Sequence, residues 1–66
     1  MFSDQLKDVC RLSRRAYALR ISGNIAKALD VERQRDAIVS TLERAGFADD
    51  AMEAELAGQR SYTASM

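Results

Sequence analysis

The only side chains in this sequence that gather in numbers able to do chemistry are its acids and its arginines. Asp49, Asp50, Glu53 and Glu55 place four carboxylates within seven residues. That is enough oxygen for a divalent cation, or for two carboxylates sharing acid–base work. The spacing fits neither use. A calcium loop needs alternating ligands and a glycine at its sharp turn, and paired carboxylates need a cleft to work in. Acids at the start of a helix are favoured by the helix dipole alone, so a solvated helix start is the reading here. Lys7, Arg11, Arg14, Arg15 and Arg20 make the first third basic. To read nucleic acid, that face needs a recognition helix beside it, and the segment that follows is nearly neutral. Arg11, Arg14 and Arg15 therefore read as a basic face that pairs with local acids or an acidic partner. Cys10 is the single cysteine and histidine is absent, so neither an internal disulfide nor a metal site is expected. Cys10 falls on the inner side of a helical pattern and reads as a small buried hydrophobe. Neither catalytic residues, a cofactor nor a metal is expected, and the chain does not read as an enzyme.

The elements that hold these side chains are helices. Proline is absent, glycine occurs three times, and the ten basic residues balance the ten acids, which removes any argument for bulk affinity to nucleic acid or membrane. Sixty-six residues make a single domain, 1–66. For that mass, apolar burial supplies on the order of 95 kcal/mol. Ordering the chain costs about 90 kcal/mol. A lone monomer is marginal on these terms, so a homodimer is expected to complete the core. The sequence has no apolar run of spanning length and no basic-then-apolar leader, so the expected place is the cytoplasm, with no membrane span.

Three helices are expected, over 4–22, 25–45 and 50–58, with a loose tail over 59–66. Ser3 is positioned to cap the first, with Asp4 behind it. Leu6, Val9, Leu12, Ala16 and Leu19 follow at steps of three and four, widened by Cys10, Ser13 and Tyr17. Gly23 offers a stop and Asn24 a start, which predicts an antiparallel hairpin over the competing continuous helix. In the second helix Ala28, Val31, Arg35, Ile38, Leu42 and Ala45 make the stripe, flanked by Ile25, Leu29 and Val39. Asp30/Arg33 and Glu32/Arg35 have i,i+3 spacing for surface ion pairs. A Schellman turn at Gly46 would set Phe47 against Leu42. Asp49 or Asp50 can cap the third helix and Gly58 can end it. That short helix needs something to dock on. Phe2 and Tyr62, near the ends, could dock back or anchor a partner.

Two stretches together resemble the FliT family of flagellar export chaperones. One is Leu12 to Leu29, LSRRAYALRISGNIAKAL, and the other is Leu29 to Leu42, LDVERQRDAIVSTL. The second has the acidic–arginine arrangement of that family's second helix. The resemblance implies a small helical bundle that binds the filament-cap protein before export, and in some members a transcriptional regulator. It places Glu32, Arg33, Arg35 and Asp36 in the family's signature segment, and Met52 to Leu56 at the start of a masking region.

The expected architecture is thus all-α: an antiparallel helical hairpin with a short third helix, completed as a helix bundle by dimerisation. The expected function is a non-enzymatic protein-binding module, similar to a type III export chaperone, that receives a client helix in an apolar groove. Leu6, Val9, Leu12, Ala16, Leu19, Val31, Ile38 and Leu42 would line the groove. Arg35, Met52 and Leu56 complete the partner-binding set. A nucleic-acid-binding or regulatory protein using the basic face, and a purely structural homodimer, are the alternatives.

Overall fold

Two glycines divide a helix-forming chain into three segments. The structure is a computed structural model that describes residues 2–64. In it α1 (Ser3–Ile21), α2 (Ile25–Arg44) and α3 (Ala48–Ala64) are three helices of similar length packed as an all-α bundle. Gly23 (φ +87°) and Gly46 (φ +89°) both take the left-handed conformation that L side chains resist. Each is the hinge of a Schellman turn. After α1, the Gly23 N–H bonds to Arg20 O and the Asn24 N–H to Leu19 O; after α2, Gly46 bonds to Glu43 O and Phe47 to Leu42 O. The chain therefore reverses at Gly23, and a continuous helix is excluded.

The helix starts differ from the sequence reading. Ser3 is the first helical residue and not a cap; the Phe2 carbonyl accepts the Leu6 N–H instead. Asn24 occupies the cap position of α2, but its side chain makes no capping bond; its backbone serves both helices, the N–H closing α1 on Leu19 O and the carbonyl accepting the Ala28 N–H. Neither Asp49 nor Asp50 caps α3. Both lie in its first turn, and the Phe47 carbonyl accepts the Ala51 N–H.

The largest correction concerns α3. Gly58 does not end it, and 59–64 are not a loose tail: the helix runs on to Ala64, with 65–66 lying outside the described residues. Gly58 is buried in mid-helix against α1, where a Cβ would fall 2.3 Å from the Cys10 carbonyl oxygen and 2.9 Å from Ser13 Cβ. Glycine here permits close approach of two backbones, a use that a local reading of the sequence does not reveal.

α1 is the central helix. It packs broadly on both α2 and α3, which touch each other only lightly. Val9, Leu42 and Ala51 form one buried cluster, with Phe2, Leu6, Ile38, Val39, Phe47 and Ala54 packed around it. Leu12, Ala16 and Val31 form a second, with Leu19 and Ile38. Aromatic pairs bracket the α1–α3 contact: Phe2 stacks tilted on Phe47 at 4.8 Å, and Tyr17 meets Tyr62 edge-on at 5.6 Å. Phe2 and Tyr62 thus dock back onto their own chain.

Candidate protein-binding surface

Most of the apolar side chains expected to line a groove are already used. Leu12, Ala16, Val31 and Leu42 are buried in the two clusters, and Leu19 and Ile38 are half-buried beside them. Ala51 of α3 sits against Val9 and Leu42, so part of the expected groove is filled by the chain's own third helix. Two of the expected partner-binding residues do face solvent: Met52 is 60% exposed and Leu56 43%.

The charged residues are held by short bridges between and along the helices. Arg20 of α1 forks onto Glu32 of α2, its Nη2 donating to Oε1 at 2.8 Å and its Nε to the other oxygen. The hydrogen bonds from Arg20 hold the Glu32 carboxyl below the usual carboxylate range, against a smaller opposing effect of burial, and the same contact raises the guanidinium pKa of Arg20. Glu32 is thereby taken across the hairpin, and the expected Glu32/Arg35 pair does not form. Arg35 turns instead to Asp36 (3.0 Å) and reaches Glu55 of α3 (3.2 Å). Asp30 and Arg33 do pair, at 3.4 Å.

The basic face is partly engaged within the chain. Arg11 pairs with Asp8 at 3.5 Å, and Arg14 donates to Ser61 Oγ of α3 at 2.8 Å. Arg15 is exposed, with no ion pair among the described residues. No three metal-ligating side chains converge among the described residues, and no pocket opens among them.

The exposed large apolar side chains are Ile21, Ile25, Leu29, Met52 and Leu56. Two of them, Ile25 and Leu29, lie on one flank of α2, and Met52 and Leu56 share an exposed stripe of α3. On α1, Ala16 faces α2 and Tyr17 faces α3, and Arg20 lies one turn beyond both, hence between the two outer helices. Because Glu32 reaches Arg20 there, the Glu32 flank of α2 turns toward α3. Ile25, Leu29, Glu32 and Asp36 follow one another on that flank at steps of four, three and four. On α3 the Glu55 flank turns toward α2, because Glu55 meets Arg35. Asp49, Met52, Glu53 and Leu56 recur at i, i+3, i+4 and i+7 and form an exposed stripe of α3, turned away from the Ala51, Ala54 and Gly58 face that packs on α1. The light contact between α2 and α3 leaves the two flanks apart, with Arg35–Glu55 crossing between them.

The sequence reading had Ile25 and Leu29 as mere borders of the α2 stripe, and it missed their exposure. Their spacing from Glu32 was the available signal. Whether that flank was covered depended on how closely α2 and α3 meet.

No known protein family, no curated protein and no solved structure matches this chain.

Proposed function

We propose that this chain is a non-enzymatic protein-binding module that takes an amphipathic helix of a partner on its exposed apolar rows. The observation that carries the reading is the pair of exposed apolar rows at helical spacing, Ile25/Leu29 on α2 and Met52/Leu56 on α3. Apolar anchors at helical spacing are what a helix-in-groove contact uses. The buried residues first expected to line the groove support it from behind. Leu12, Ala16, Val31 and Leu42 fix the positions of α1 and α2, and Ile38 and Leu19 pack beside them.

The sharpest form of this reading is a chaperone similar to the FliT family, with a filament-cap helix as client and α3 as one wall of the site. Titration of the full chain with a filament-cap C-terminal peptide tests it. Saturable binding that is lost in Leu29→Ser and Leu56→Ser variants of unchanged helicity is the expected result. Indifference to the peptide would reject the chaperone form. Pairing of two copies through the same rows would complete the bundle in another way, and sedimentation velocity of the free chain distinguishes it.

A further inference from the structure

We propose that copies of this chain associate head to tail, the basic solvent face of α1 in one copy docking along the solvent face of α3 in the next, with the two helices parallel. The chain is neutral, but its charges are sorted by helix. α1 has five bases against two acids, α2 has four of each, and α3 has four acids against Arg60. Each copy thus carries two complementary faces and no net charge to hold copies apart. The faces also match in spacing. On α1, Lys7, Arg11, Arg14 and Ala18 follow at i, i+4, i+7 and i+11, on the side opposite the buried Val9, Leu12 and Ala16. On α3, Asp49, Glu53, Leu56 and Arg60 follow at the same four steps, opposite the buried Ala51 and Gly58. Laid parallel, Lys7 meets Asp49 and Arg11 meets Glu53, the stem of Arg14 covers Leu56, and Arg60 falls opposite the small Ala18. Laid antiparallel, Arg60 faces Lys7, and Arg14 with Glu53 is the one pair of opposite charges left. The order of the charges therefore fixes the direction.

Little stands in the way of such a contact. Within one copy Arg11 has only Asp8, at 3.5 Å, and Glu53 only Arg60, at 3.3 Å, and both are exposed pairs of small worth that can be exchanged. Leu56 and the neighbouring Met52 add exposed apolar area that arginine and lysine stems can cover. The α3 stripe points away from α1, so one copy cannot offer both faces to the same neighbour, and the contact is heterologous. With the helices parallel, successive copies are related by rotation about an axis along the bundle, which gives a ring if the rotation closes and a filament if it does not. Ile25 and Leu29 stay uncovered in this contact, and client binding there is decided separately by the peptide titration.

The test is sedimentation velocity of the full chain over a range of concentrations, at low and at physiological salt. The mean mass is expected to grow past that of a dimer at low salt and to fall back as salt rises. Two charge-reversed variants then probe the faces one at a time: Lys7→Glu with Arg11→Glu on α1, and Asp49→Lys with Glu53→Lys on α3. Each sets like charges against each other, so each alone should associate at least about tenfold more weakly than wild type. Mixed in equal amounts, the two variants again present opposite charges at every contact, and association should return. Circular dichroism checks that both are folded; should either lose helicity, the growth and salt response of the wild-type chain decide the matter alone. A chain that stays monomeric at low salt overturns the proposal. So do reversed variants that associate as wild type does, and a mixture that stays apart. A dimer that neither grows with concentration nor responds to salt, and is lost on Leu29→Ser, places the contact on the apolar rows instead and also overturns it.

Discussion

Two residues at the α1–α3 contact make opposite demands on stability. Gly58 approaches α1 so closely that a Cβ would lie 2.3 Å from the Cys10 carbonyl oxygen and 3.0 Å from the Arg14 nitrogen, both backbone atoms that cannot rotate aside. Alanine is the better helix former by about 1 kcal/mol, so at an exposed site Gly→Ala would stabilise. Here the overpacking costs more, and Gly58→Ala is expected to destabilise by about 1–3 kcal/mol net. A raised denaturation midpoint would show that the helices stand further apart in solution. Ser13, opposite, is 2% exposed, and its buried hydroxyl oxygen has no hydrogen-bond partner among the described residues. A buried, unsatisfied hydroxyl is a cost of folding, so Ser13→Ala should leave stability unchanged or raise it by up to about 1 kcal/mol. A clear loss would mean that the hydroxyl finds a partner.

At the scale of the elements, the helices and the two reversals were legible because local chemistry dictates them. Leu6 to Leu19 and Ala28 to Leu42 repeat at helical steps, and Gly23 and Gly46 stand where those repeats stop. Gly46 at φ +89° is the αL position of a Schellman turn, and nothing lies within 4 Å of where its Cβ would sit. Gly46→Ala is therefore a pure backbone test, expected to cost about 1 kcal/mol in urea denaturation. The extent of α3 was not legible, because Ala51, Ala54, Gly58 and Ser61 bind it to α1 by closeness and leave no apolar stripe to read. A glycine at the end of a weak pattern looks like a stop until the neighbouring helix is present. The candidate site was legible only in part. Met52 and Leu56 stood out as a free apolar row, but Ile25 and Leu29 depended on the separation of α2 and α3. Leu42 is fully buried beside Val9 and Ala51. Leu42→Asp would place an unpaired charge there and is expected to abolish the helical far-UV signal. A folded Leu42→Asp chain would put the core on the wrong face.

For the molecule as a whole, the exposed surface is 4416 Å², close to the ~4,200 Å² expected of a folded monomer of this mass. The core beneath it is nonetheless thin: its largest fully buried side chains are Leu42, Val9 and Ser13. In such a chain a modest electrostatic contribution is a visible fraction of total stability, and the Arg20–Glu32 fork between α1 and α2 is the clearest one. Glu32 has a folded-state pKa held below its ordinary value, chiefly by the hydrogen bonds from Arg20. When a carboxyl pKa is lowered by folding, the stabilisation is fully present above the unfolded value, about 4.3. It is lost as pH falls through the lower folded-state value, because the unfolded chain takes up the proton first. Arg20 stays protonated throughout and adds no titration of its own. Other carboxylates titrate in the same range, so the informative quantity is the difference between the wild-type chain and Arg20→Gln. Wild type should be the more stable at neutral pH, and the gap in urea midpoint should close as pH is lowered from about 5 to about 3. A gap that stays constant over that window would show that Arg20 and Glu32 are not coupled in solution, and that α1 and α2 are joined by their apolar contact alone.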